Sequence, residues 1–209
     1  MRIKEIQATA SRMGRVRLLF DNDTNMMVYP SVVADLGLFS GMELDENGYQ
    51  LLEDTAAKAS ARERAVRIVA ASAVSKSELF HRLLEKGERQ EDAEQAVAWL
   101  SELQLLNDLQ TAKQIVERGV RKGYGKNKLR QLLYEKRIPK QYWDEALADV
   151  PEMDDAIDAF LHAKLDGRTI DDKLTKKTVD ALLRRGHSYG DIKAAMRRYS
   201  DELEDRLED

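Results

Sequence analysis

Between Lys113 and Lys140 ten basic residues (Lys113, Arg118, Arg121, Lys122, Lys126, Lys128, Arg130, Lys136, Arg137, Lys140) stand against two acids, Glu117 and Glu135. The chemistry such a run offers is anion binding. A lysine or arginine that neutralises a phosphate releases a counterion, so affinity falls steeply with salt. A charge run is more often a solvated face, held by acids of the same helix one turn away. Here those acids are nearly absent. The apolar spacing also directs Lys113, Arg118, Arg121, Lys126, Arg130 and Arg137 outward, so one surface can carry them. Tyr124, flanked by Gly123 and Gly125, is the aromatic best placed for a contact. Arg184, Arg185, Arg197 and Arg198 form a second, smaller basic cluster, and Arg62, Arg64 and Arg67 a third.

Other chemistries find less support. His81, His162 and His187 are isolated from one another and from carboxylate pairs at ligand spacing. Asp154, Asp155 and Asp158 share a helix face, but a solvated acidic face explains them without a cation. Gly123-Tyr124-Gly125 lacks the Gly, four residues, Gly-Lys-Ser/Thr pattern of a phosphate loop and follows no apolar strand. It reads as a helix–helix turn, with the alternative that its backbone N–H groups, between Arg121-Lys122 and Lys126-Lys128, receive a phosphate. The chain has no cysteine, which removes disulfide and thiolate chemistry. No nucleophile–base set assembles. The expectation is a non-enzyme without metal or cofactor. Trp99 and Trp143 are expected to pack inside their helical units.

The basic run sits on three short helices. Leu109, Ala112, Ile115, Val116 and Val120 keep helical spacing; Gly123 and Gly125 break it; Leu129, Leu132 and Leu133 resume it to Lys136. Pro139 then opens a third helix with Trp143, Ala146, Leu147 and Val150, proline being tolerated in a first turn. This unit is repeated. With Gly87, Arg137 and Gly186 as equivalent helix ends, Leu83, Leu133 and Leu182 stand four residues before. After them come Ala93, Val97 and Leu100; Trp143, Leu147 and Val150; Ile192, Met196 and Tyr199. Ser75 with Glu78 is a capping box opening the helix that Gly87 ends. First helices carry Val66/Val69, Ile115/Val116 and Ile157/Leu161.

The N-terminal part differs. Ile3–Ile6, Val16–Phe20 and Met26–Tyr29 read as strands, the last two joined as a hairpin through Asp21-Asn22-Asp23-Thr24-Asn25. Pro30 starts a short helix closed by Gly37, and Gly41–Leu44 reads as one more short strand. The domains are therefore a mixed β cap (1–55) and three-helix repeats over 56–105, 106–150 and 151–203. The fold class is mainly α: tandem three-helix units in an elongated curved solenoid with a small N-terminal β-containing cap.

At 209 residues the chain can bury a sizeable core. Its net charge of −4 conceals segregation. Residues 141–172 hold ten acids against Lys164 and Arg168, and the end, from Ser200, is acidic again. No apolar stretch has signal-peptide or membrane-spanning length, so a cytoplasmic protein is expected.

Ser77-Glu78-Leu79, Leu83 and Lys86-Gly87 in the first unit resemble the RecX family, bacterial modulators of the RecA recombinase. So do Leu106-Asn107-Asp108, Ala112, Arg121-Lys122-Gly123-Tyr124-Gly125, Leu129, Leu133, Lys136-Arg137-Ile138 and Ala146-Leu147 in the second. The resemblance covers residues 60–150 well and 151–199 loosely, and residues around Gly41–Leu44 resemble the β extension of longer members. Arg137 stands where the family has glycine, and Leu109-Gln110-Thr111 where it has an aromatic before Ala112. The resemblance implies a monomeric regulator that lies in the groove of a RecA filament on single- or double-stranded DNA. It would restrain ATP hydrolysis, filament growth and strand exchange in recombination, repair and the SOS response. The alternative is a nucleic-acid-binding helical module acting independently of RecA. In either case the contact residues are expected to be Lys113, Arg118, Arg121, Lys122, Tyr124, Lys126, Lys128, Arg130, Lys136, Arg137, Arg184, Arg185, Arg197 and Arg198.

Overall fold

The computed structural model describes residues 1–10 and 14–208, with side chains through residue 204. The N-terminal run read above for a targeting segment falls outside the described residues at 11–13, as do the side chains of the terminal acidic run beyond 204. The chain forms two compact units, Met1–Leu106 and Asn107–Asp209.

The first unit opens with an antiparallel sheet of β1 (Ile3–Ala8), β2 (Val16–Phe20) and β3 (Asn25–Val28), in that order. Period-two alternation turns Ile3, Leu18, Phe20 and Val28 inward. The hairpin turn uses Asp23 at φ 61°, and Asn22 Oδ1 accepts from the Thr24 N–H at 3.2 Å. Helix α1 (Pro30–Asp35) follows, ended at Gly37. The expected strand at Gly41–Leu44 is a single bridge, Arg2 to Glu43. Gly41, at φ 98°, turns the chain, and the segment meets the start of β1 through backbone bonds from Ile3 N–H to the Met42 carbonyl, Gly41 N–H to the Ile3 carbonyl and Leu44 N–H to the Met1 carbonyl.

Helix α2 (Glu46–Ala71) runs straight through the boundary read at residues 55/56. Opposite faces serve two cores: Leu52 completes the core of the cap, and Ala61 and Ala65, about half a turn round the helix from it, enter the core of the first three-helix module. Of the pair read from the sequence, Val69 packs against this core, while Val66 is exposed. The fully buried positions are alanines, which share the core with the equally buried Ala93 and Ala96 of α4 (Gln90–Glu102). Small side chains let two helices approach closely without leaving an apolar comb in the sequence. Helix α3 (Lys76–Glu85) completes the module, and the Ser75 side chain accepts from the Glu78 N–H at 3.0 Å. Leu106 belongs to this core.

The second unit holds two further modules. One has α5 (Asp108–Arg121), α6 (Lys126–Glu135), a 3₁₀ turn (Lys140–Tyr142) and α7 (Trp143–Leu147). The other has α8 (Asp154–Leu165), α9 (Asp172–Arg184) and α10 (Tyr189–Glu208). Each has its own core. Asn107 and Asp171 cap α5 and α9 by accepting from Gln110 and Leu174 N–H groups. The helix read as opening at Pro139 is shorter than expected. Pro139 precedes the 3₁₀ turn, the Trp143 indole donates to the Ile138 carbonyl at 3.0 Å, and Pro151 follows shortly after the helix.

The repeat is visible in the backbone. Gly87, Arg137 and Gly186 all adopt the left-handed conformation, at φ 84°, 52° and 85°. In each case the next N–H folds back onto the carbonyl of the equivalent leucine: Glu88 to Leu83, Ile138 to Leu133, His187 to Leu182. All three leucines are fully buried. Arg137 alone carries a Cβ through this corner. The left-handed region costs a side-chain-bearing residue roughly 1–2 kcal/mol, against roughly 0.5–1 kcal/mol of extra chain entropy lost by glycine. Arg137→Gly is therefore expected to stabilise the protein by about 0.5–1 kcal/mol, read as a higher urea midpoint at unchanged slope.

Candidate nucleic-acid interface

Helix α5 is strongly two-faced. Ala112, Val116 and Gly119 are buried, while Lys113, Arg118, Arg121 and the following Lys122 are exposed. On α6, Leu129 and Leu133 are fully buried, and Lys126 and Arg130 are exposed. Lys128 and Lys136 are half-buried, and Arg137 projects from the left-handed corner. Two cations have exposed partners: Lys113 with Glu145 at 2.8 Å and Arg121 with Glu117 at 3.6 Å. Lys128 Nζ donates to Gln131 at 3.1 Å. Exposed pairs of this kind contribute about 0–1 kcal/mol, so a stronger anion can displace them. Among the described residues, no ion pair engages Arg118, Lys122, Lys126 or Arg130.

Trp99 and Trp143 pack against their module cores, as expected. Tyr124 is half-buried and packs against the module core with Ile115 and Val120, so its ring has a structural role. Sequence reasoning passed over Tyr134, which is 71% exposed. Its signal was available: it falls outside the Leu129, Leu132, Leu133 comb and one turn beyond Arg130.

The glycine turn is not an open anion cradle. Gly125 N–H donates to the Arg185 carbonyl at 2.9 Å and Asn127 N–H to the Gly186 carbonyl at 3.2 Å. Gly123 and Tyr124 N–H groups close the end of α5 on Val120 and Gly119 carbonyls. Four backbone donors of the turn are therefore engaged, two of them by the third module. A Cβ on Gly125 would overlap the Gly186 carbonyl, and one on Gly186 would overlap the Lys128 backbone. The two main chains touch because both positions are glycine.

Around this joint, two further arginines of the expected site have internal work. Arg185 donates to the Lys122 carbonyl at 3.0 Å and lies 4.8 Å over the Phe160 ring. Arg198 reaches Asp158 at 2.9 Å and Asp154 at 3.2 Å, contacts that raise its pKa, the Asp158 hydrogen bond most. Part of the acidic stretch is thereby neutralised from within. Arg184 and Arg197 are exposed. In the first unit, Arg62 stacks on Trp99 at 5.4 Å, Arg64 pairs with Glu88 at 2.6 Å, and Arg67 binds the Glu63 carbonyl and the Tyr29 hydroxyl. That third basic cluster serves its own unit. No group of three or more metal-binding side chains occurs among the described residues, and no helix there is long and apolar enough to cross a membrane.

His187 sits at the joint, 4% exposed, with Nε2 3.0 Å from the Gly123 carbonyl. A carbonyl only accepts, so Nε2 carries the proton of the neutral ring. Burial pushes its pKa below the ordinary 6.5; the Gly123 bond opposes that shift and Arg185 adds to it. The ring also lines a cleft of about 440 Å³ with Lys126, Arg130, Glu152, Asp154 and Asp191.

Two outcomes follow for this joint. Gly125→Ala should destabilise the protein by about 1–3 kcal/mol, the usual cost of overpacking. It should also remove hydrogen-exchange protection at residues 125 and 127 while leaving the first unit protected. The depressed His187 pKa means the unfolded chain binds the extra proton first. Its stabilising contribution is full above pH 6.5 and is lost as pH falls below that value through the folded-state pKa. His187→Gln, which keeps an N–H donor, should flatten the stability profile in that window, measured by urea titration at stepped pH.

These features define a helical-repeat protein whose densest charge is an exposed cationic surface on its middle three-helix module. A family model described as the second three-helix domain of RecX matches residues 107–147, which hold most of that surface. The regulatory protein RecX of Vibrio parahaemolyticus is 31% identical over 144 residues, spanning 66% of this chain and 90% of that protein. That of Cronobacter sakazakii is 33% identical over 153 residues, spanning 66% and 90%. A Clostridium botulinum relative of the same name is 23% identical over 198 residues, spanning 92% and 93%. A crystal structure of regulatory protein RecX superposes with a TM-score of 0.62 at 23% identity, covering 92% of this chain and 98% of that one. The structure from Lactobacillus salivarius gives 0.56 at 17% identity, covering 68% and 96%. The chain belongs to the RecX family of regulatory proteins.

Proposed function

We propose that this protein binds a RecA–DNA filament and restrains RecA's ATP hydrolysis, filament growth and strand exchange. It would act as a monomer in the cytoplasm, in recombination, repair and the SOS response. The observation that carries the reading is the set of exposed cations without ion-pair partners, Arg118, Lys122, Lys126 and Arg130, on the module that the family model matches. A filament wound on nucleic acid presents regularly spaced phosphates and extended protein surface, and repeated helical modules suit an extended partner. Regulation by occupancy needs no catalytic group, in accord with relatives named as regulatory proteins. Arg184 and Arg197 add cationic contacts from the third module. Lys113, Arg121 and Lys136 are recruited by exchanging their present partners for phosphate or carboxylate.

The test is the DNA-dependent ATPase of the host RecA, titrated with this protein and with its Arg121→Glu, Lys122→Glu, Lys126→Glu variant. Slower hydrolysis with the native chain, and at least tenfold weaker inhibition by the variant, is the expected result. No effect of the native chain at any salt concentration overturns the reading. Binding to DNA alone, with unaltered recombinase activity, would point instead to a module acting independently of RecA.

A further inference from the structure

Tyr134 is the most exposed of the chain's large apolar side chains among the described residues, at 71%. It lies on the ridge of α6 that begins with Lys126 and Arg130, each one turn from the next, and Arg137 follows three residues later at the left-handed corner. Residues four apart on a helix are surface neighbours. On the adjacent ridge, Lys128, Gln131 and Glu135 bond to one another, Lys128 Nζ to Gln131 at 3.1 Å and Gln131 Nε2 to Glu135 at 2.8 Å. Glu135, the acid of α6 itself, is thereby engaged along its own row, and the acids Glu152, Asp154 and Asp191 share the cleft at the Lys126 and Arg130 end of the ridge.

We propose that Tyr134 is a base-stacking platform, on which an unstacked nucleobase of single-stranded nucleic acid lies while the flanking cations of α6 hold its phosphates. This rests on the reading that the basic face meets nucleic acid, and it names which nucleic acid. A tyrosine serving a protein partner normally sits among other apolar groups that help exclude water from the contact. Tyr134 has none exposed beside it on its helix: Leu129 and Leu133 point into the core, and its outward neighbours are charged or polar. An isolated ring in a cationic row matches a ligand that is flat and apolar on its face and anionic along its edge. A nucleotide has that form. The bases of a duplex have their faces covered by one another, so the ring favours single strands, whose bases are open to an aromatic side chain.

The experiment uses the full chain, with fluorescence anisotropy on a labelled thymidine homo-oligomer, an abasic oligomer of equal length, and a duplex. Tyr134→Ala, Tyr134→Phe and the triple charge reversal at Arg121, Lys122 and Lys126 are compared with the native chain. Tyr134→Ala is expected to weaken the thymidine oligomer about 5- to 150-fold, the range of one lost base stack. It should leave the abasic oligomer and the duplex within twofold, and Tyr134→Phe should bind as the native chain does. Being exposed, the position changes without loss of folding, which circular dichroism checks. If Tyr134→Ala changes nothing while charge reversal weakens all three ligands, the stacking role falls and the basic-face reading stands. If neither moves any affinity, both fall. An effect of Tyr134→Ala confined to recombinase binding assigns the ring to a protein partner and overturns the proposal.

Discussion

The second unit is organised by a contact between two main chains. The corner after α9, at Arg185 and Gly186, offers its carbonyls to the N–H groups of Gly125 and Asn127 at the start of α6. Backbone hydrogen bonds across a helical joint require the chains to meet without Cβ atoms between them. Glycine at both 125 and 186 permits it. The joint fixes much else. It occupies the Gly125 and Asn127 donors at the start of α6. It brings Arg185 to Phe160 and to the Lys122 carbonyl, and it buries His187 in the seam.

The joint also divides the cations by role. Arg185 and Arg198 hold the third module together or hold it to the second, while Arg62, Arg64 and Arg67 bind groups of the first unit. Of the cations expected to form the site, those left outward are on α5 and α6, together with Arg184 and Arg197; Lys173, Lys176, Lys177 and Lys193 of the third module are exposed too. The acidic stretch after residue 141 is partly spent in the same way. Glu145 meets Lys113, Asp154 and Asp158 meet Arg198, and Asp166 accepts from the Tyr199 hydroxyl at 2.9 Å. The exposed face of α5 and α6 stays cationic, while Asp144, Asp149, Glu152 and Asp155 of the acidic stretch are exposed as well.

The three modules solve one problem with different means. Each needs a sharp left-handed exit from its second helix above a buried leucine. Two use glycine, and the middle one uses Arg137. Glycine is the residue the left-handed backbone favours there, and Arg137 is exposed at that corner.

Local patterns were legible in the sequence: the cap at Ser75, the hairpin at Asp21–Asn25, the repeated leucines before residues 87, 137 and 186, and the cationic excess of 113–140. Each depends on neighbours within about a turn or a hairpin. The Ala61/Ala65 face of α2 was not legible, because small residues give a weak periodic signal and their burial depends on α4. Nor was the fate of the glycine turn. Whether Gly125 offers its N–H to a phosphate or to Arg185 depends on a residue sixty positions away. The difference in burial between Tyr124 and Tyr134 has the same cause. Ring exposure is a property of packing between helices, so only the tertiary structure decided which tyrosine faces outward.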